Sequence, residues 1–375
     1  LADGSWWTIG QSYEIANGDD WSGMGRQTSL YPIVWEGDRP WGMAPVSMPI
    51  KMPHLQRSDI LWRSVNSDSF NSDSLGLWWH FLNQKAAGSY SLTARKGWLR
   101  LTPLNERTHI LQKETDHYYT AVTKVDLNST DTSSKAGLYL TNGNQQVVVQ
   151  LYIGYDAGKK IVFRMDTAVR AIPNIFGNVV WLKLQRMEHT LVAYCSADGV
   201  KWVVLGAPIN SIALDKAQPD FNSWVGTSLG LFAEGKPADF DFFICKDGFT
   251  ALPAEGYCNY YGITTIKKGN EKAVTNTSAY GGWLMISGVD LGHDKEAARL
   301  EITASSTKDS KIEIFLDNLT DGRKIATVNV LKTGGDNWKT FYTGLTHLSG
   351  HHDLFIRFPA GVPGSTFIKS IRFMH

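Results

Sequence analysis

The sequence predicts an all-β chain. Three observations carry the prediction: apolar and polar residues alternate along many short runs, these runs stop at turn dipeptides such as Asn142-Gly143 and Asp198-Gly199, and no apolar stretch recurs at helical spacing behind a capping residue. Residues 1–53 hold only two convincing strands, at 6–10 and 29–35, before a proline-rich run from Pro40 to Pro53. So few strands cannot bury enough apolar surface to fold alone, and this segment is expected to belong to something larger. Asp3-Gly4 is the dipeptide of a tight hairpin turn, and the strand that should precede it is expected upstream of Leu1. The sequence therefore reads as a trimmed, processed or nicked product.

Residues 54–250 carry the strand patterns of one large two-sheet jelly roll: 90–102, 118–127, 135–166, 179–206 and 229–245, with hairpin turns at Asn142-Gly143, Asp156-Ala157-Gly158 and Asp198-Gly199. Residues 251–375 form a second, smaller sandwich, with strands at 297–305, 310–318, 324–331, 338–345, 352–358 and 367–374.

Lys and Arg number 37 against 36 Asp and Glu, so no whole-chain field recruits nucleic acid or an anionic membrane. No apolar run reaches the roughly 20 residues that span a bilayer, and no signal peptide is visible. The 14 Trp suit a β-rich, carbohydrate-facing protein, but strand cores are expected to take most of them. Cys195, Cys245 and Cys258 are too few and scattered for a disulfide framework or a zinc site, and are expected as buried thiols with room for one disulfide.

Motifs for phosphate binding, zinc proteolysis and serine hydrolysis are absent from the sequence. Adjacent His351 and His352 point to opposite faces of a strand and cannot share an ion, so solvated strand-end histidines are expected. Glu14, Asp19, Asp20 and Glu36 are carboxylates of the kind glycoside hydrolysis pairs at roughly 5–9 Å, but their polar, Gly-rich surroundings suit solvated loops. Asp317, Asp321 and Gly322 suit a hairpin turn better than a calcium loop. Sequons stand at Asn128, Asn276 and Asn318. Arg26 follows two glycines, Gly23 and Gly25, and an Arg held in such a turn presents fixed donors to hydroxyls or a carboxylate, although a surface Arg at a strand start fits the spacing as well.

Three stretches together carry a resemblance. "DGSWWTIGQSYEIANGDDWSGMGRQTSLYPIVWEGDRPWGM" resembles the closing strands of the five-bladed β-propeller of glycoside hydrolase family 43. "DSFNSDSLGLWWHFLNQKAAGSYSLTARKGWLRL", with "ADFDFF", resembles the concanavalin A-like β-sandwich appended to β-xylosidases and α-L-arabinofuranosidases of that family. "GGWLMI", "SKIEIFLDN", "GGDNWKTF" and "HDLFIRF" resemble a family 6 carbohydrate-binding module. The resemblance implies the C-terminal portion of an exo-acting, inverting hemicellulase, secreted or periplasmic. The catalytic Asp, Asp and Glu would lie upstream, and the partners would be that propeller portion and xylan or arabinoxylan oligosaccharides. It places Arg26 where the family's last-blade Arg reaches the cleaved sugar, and Trp224, with Phe221 as fallback, where an aromatic closes the pocket. In the module it matches Tyr280 and Trp338 to the pair that grips a sugar. Phe367 stands where the family has an Asn, and Lys369 where it has a calcium-ligating Asp, leaving Glu255 as a ligand for a structural calcium. A stand-alone lectin of two sandwiches is the alternative.

Overall fold

The computed structural model describes residues 4–12, 14–16, 19–21, 23–44, 66–82, 87–143, 147–216, 225–292, 296–319, 323–335 and 337–375. At the N-terminal end, Trp6–Ser12, Gln27–Glu36 and Arg39–Gly42 form an antiparallel three-stranded sheet. The third strand departs from the proline-rich run expected there, because Gly37, at φ +61°, lets the chain turn back at once. Glu14–Ala16 pairs with Asp19–Trp21, so Glu14, Asp19 and Asp20 lie on strands of a small hairpin rather than in loops.

Register shows what this first sheet does with its side chains, since residues opposite one another share a face. Trp6, Ile33 and Trp35 lie on one face and Ile9, Leu30, Val34 and Trp41 on the other. Both faces expose large apolar groups, with Trp6 58% and Trp41 53% accessible. The tryptophans thus depart from the core expectation: among the described residues Trp79 is the one indole in the buried core, at 7%.

The large sandwich stacks two antiparallel sheets. One runs Ala168–Pro173, Lys159–Met165, Val148–Tyr155, Lys135–Thr141, Ser228–Glu234, Arg107–Lys113; the other is built around Thr190–Ser196, Val179–Met187, Tyr118–Asp126 and Ala238–Cys245. Inward residues of both sheets, among them Leu138, Leu151, Phe163, Leu182, Leu231 and Phe243, form one continuous core. The anticipated turns connect these strands, with Gly143, Ala157 and Gly199 at positive φ. The run at 90–102 is two short strands, Tyr90–Ser91 and Leu99–Leu101, folded on each other at Gly97 (φ +75°).

The smaller sandwich packs a sheet containing Ile263–Lys268, Glu271–Asn276, Thr366–Met374, Ala297–Ser306 and Lys339–Leu348 on a five-stranded sheet of Asn259–Tyr261, Gly282–Asp290, His351–Phe358, Ser310–Leu316 and Arg323–Val330. It has its own core, including Leu284, Ile302, Ile314, Ile356 and Phe373. Asn276, 4% exposed, is an inaccessible sequon.

A polar seam joins the sandwiches. Lys246, buried at the end of Ala238–Cys245, pairs with Asp116 of the first sandwich and donates to Ser287 O of the second at 2.8 Å. Lys272 reaches back to Glu188 at 2.7 Å, and Gly248 N–H donates to Asp290 O at 2.8 Å. His351 lies 3.2 Å from Asp290 and His352 2.9 Å from Asp317. These histidines face opposite sides as the alternation predicts, but each is paired rather than solvated. The cysteines are all free, and Cys258 is exposed rather than buried, while burial pushes the Cys195 thiol up to about 11 and the Cys245 thiol up to about 12. Among the described residues no helix is long and apolar enough to cross a membrane.

Candidate functional site

Arg26 is exposed on a turn that the sandwich holds from behind. Gly25 takes φ +73°, and the Gln27 amide donates to Met24 O at 3.0 Å, closing the turn. Thr227 N–H donates to Gly23 O at 2.7 Å. Gly226 lies so close that a Cβ on it would overlap Gly25 N and Met24 C. Phe221 and Trp224 fall outside the described residues, but the flanks of their segment are placed. Asp215 ends the short helix Ile212–Asp215 on one side, Gly226 and Thr227 stand on the other, and both flanks touch the Gly23–Gly25 backbone. The Arg26 turn therefore stands beside Asp215 and Gly226–Thr227, far from it in sequence.

Beneath this spot is a charged knot that sequence reading missed. Arg186, fully buried, bonds through Nη1 to both oxygens of Glu114 at 2.6 Å and through Nη2 to Asp215 at 2.6 and 2.5 Å. Its Nε donates to Glu188 O at 2.9 Å. His189 Nδ1 is 2.8 Å from Asp215 Oδ2, and His117 Nδ1 is 3.8 Å from Oδ1. Burial alone would lower the Arg186 pKa, but the two carboxylates outweigh it and raise it, so the guanidinium stays charged. The signal was present in the alternation: Arg186 continues the inward column Val180, Leu182, Leu184 of Val179–Met187. Glu114, His117 and Asp215 bring ligand atoms within 4.8 Å of one another, but the guanidinium already supplies the cation between the carboxylates.

In the small sandwich, register gathers four loops at one end. Val274 faces Ile368, Ser306 faces Thr366, Ala304 faces Lys339 and Ser310 faces Val330, so loops 277–281, 307–309, 331–338 and 359–365 are neighbours. Tyr280, 94% exposed, and half-buried Trp338 lie on two of them. A cavity of about 240 Å³ opens at the same end, lined by Asn276, Lys308, Lys311, Phe358, Gly361 and Thr366 among others. Phe367 is buried, its ring capped by Lys268 Nζ at 4.2 Å, and offers no hydrogen bond there.

A structural calcium needs six to eight oxygen ligands. Glu255 is half-buried, its Oε2 has no hydrogen-bond partner, and burial raises its pKa while Lys272 opposes the shift. Lys369, whose backbone O accepts from Ala254 N–H at 2.9 Å, sends its ammonium to Glu271 at 2.9 Å. With Lys272 and Lys369 set among Glu188, Glu255 and Glu271, the residues present do not fit a calcium ion.

Residues 67–246 match the family described as "Beta xylosidase C-terminal Concanavalin A-like domain", and residues 253–375 match "Carbohydrate binding module (family 6)". A non-reducing end α-L-arabinofuranosidase of Bacteroides ovatus is 27% identical over 267 residues, covering 65% of this chain and 49% of its own length. A β-xylosidase of Formosa agariphila is 26% identical over 290 residues, covering 66% and 46%. The chain thus spans about half the length of these curated relatives. The crystal structure of the GH43 protein BlXynB from Bacillus licheniformis superposes with a TM-score of 0.57 at 24% identity, over 65% of this chain and 51% of that one, which shows a shared fold.

Proposed function

We propose that this chain is the C-terminal portion of a family 43 glycosidase, because residues 67–246 match the β-xylosidase C-terminal concanavalin A-like domain and residues 253–375 match a family 6 carbohydrate-binding module. The enzyme would be exo-acting and inverting on β-xylosidic or α-L-arabinofuranosidic bonds, outside the cell, with its catalytic acids on an upstream propeller. The observation that carries the reading is the Gly23–Arg26 turn seated against Asp215 and Gly226–Thr227 of the large sandwich. In this reading Arg26 and an aromatic, Trp224 or in its place Phe221, would serve one sugar pocket. The N-terminal sheet supports it independently: a sheet with apolar side chains on both faces suits a propeller blade, which is packed by neighbours on each side. The loop end carrying Tyr280 and Trp338 is the glycan-binding end of the module, since flat rings stack on sugar C–H faces.

The test uses a natural polypeptide that contains this chain together with its upstream region. Hydrolysis of nitrophenyl β-xyloside or α-L-arabinofuranoside is expected, and Arg26→Ala should lower kcat/KM by about 10–100-fold, the worth of a hydrogen bond to a charged group. Glycan retention with no glycosidase activity would instead identify a two-sandwich lectin.

A further inference from the structure

The buried knot does more than fill the sandwich. Gly23 rests directly on it: a Cβ at Gly23 would collide with Asp215 Oδ1 and His117 Cε1. Asp215 also ends the helix that leads into segment 217–224, while Thr227, beyond that segment, donates its hydroxyl to Leu214 O at 3.3 Å and its amide to Gly23 O. The Arg26 turn and both flanks of segment 217–224 thus share one support, and the position of that support is set by Arg186 clamped between Glu114 and Asp215.

We propose that Glu114, Arg186 and Asp215 form a positioning device that fixes the Arg26 turn against Asp215 and Gly226–Thr227 of the sandwich, with Gly23 as the contact through which the sandwich sets the height of the guanidinium. None of the three acidic or basic groups needs to touch a sugar. A fully buried ion network suits the task physically, because its geometry is over-determined by five hydrogen bonds from one planar guanidinium. Gly23 and Gly226 supply the backbone-to-side-chain and backbone-to-backbone approach that any Cβ would prevent. The functional arm of this inference rests on the reading of Arg26 given above; the structural arm does not.

The structural arm is tested on the chain itself with Gly23→Ala and Asp215→Asn, against Gly42→Ala, where an added Cβ meets nothing within 4 Å. Hydrogen exchange over residues 23–28 and tryptic cleavage after Arg26 are expected to rise about tenfold in both test variants and not in the control, with the sandwich still folded by thermal unfolding. Unchanged exchange and cleavage in Gly23→Ala overturns the proposal, whatever the activity. In the longer polypeptide, Gly23→Ala should lower kcat/KM about tenfold yet add nothing on an Arg26→Ala background, because both act through one guanidinium. Additive losses would also overturn it. A loosened turn in a polypeptide that has no glycosidase activity at all would overturn the family 43 reading and leave the positioning device standing.

Discussion

The N-terminal sheet and the large sandwich are built from the same alternating strands, yet they use them in opposite ways. In the sandwich the apolar faces are covered: Leu182 and Phe243 are fully buried between the sheets, and Tyr139, Tyr152 and Phe232 form a second buried cluster on the outer face of one sheet. In the N-terminal sheet both faces are apolar and both are open, with Ile9 at 72% and Trp35 at 43%. Strand formation is therefore no measure of self-sufficiency; the number of apolar faces left uncovered is.

The comparison can be broken most severely at the knot. Arg186→Ala leaves two carboxylates buried without their cation and should destabilise the large sandwich by about 3–5 kcal/mol, read from its transition in urea. Leu182→Ala in the core should cost about 2–5 kcal/mol, whereas Trp41→Ala in the open sheet should stay within about 0.5 kcal/mol in this chain. A large loss from Trp41→Ala would mean that the sheet is already covered.

A smaller effect sharpens the view that the two sandwiches act as one unit. Burial opposes ionisation of Asp290, but the hydrogen bond and charge of His351, with Ser67 and the Gly292 amide, outweigh it and hold its carboxyl below the usual aspartate value of 3.8. A depressed folded pKa contributes stability that is full above the unfolded value and is lost as pH falls through the folded one. The wild type should therefore exceed Asp290→Asn in calorimetric stability above about pH 5, with the advantage fading below about pH 3.8. The smallest effects concern the module's loop end and its cations. Tyr280→Ala should leave stability within about 0.5 kcal/mol while weakening retention on insoluble xylan. Chelation should not move the module's unfolding, whereas Lys369→Asp should make it respond to added calcium.

Much of the fold was legible because alternation and turn dipeptides are local signals. The hairpins at Asn142-Gly143 and Asp156-Ala157-Gly158 needed nothing beyond their own residues. The site was legible only in part. Arg26 could be singled out from the glycines that precede it and from a family likeness, but its support could not, since Glu114, Arg186 and Asp215 come from three separate stretches of chain that only tertiary packing assembles. Tryptophan placement failed for a related reason: composition counts indoles but says nothing of whether a neighbouring sheet exists to cover them. The paired histidines show the same limit, since their opposite facing was readable and their aspartate partners, from distant strands and turns, were not.

The buried ammonium of Lys246, shared between Asp116 of one sandwich and Ser287 O of the other, has a mechanical meaning. A mount of this kind removes the hinge that a flexible linker would provide, so the Tyr280 end stands at a set separation from the Arg26 turn. Under the function proposed above, a polymer held at one end would be presented to the other at a fixed span, and the tandem would select chains by reach rather than by local affinity.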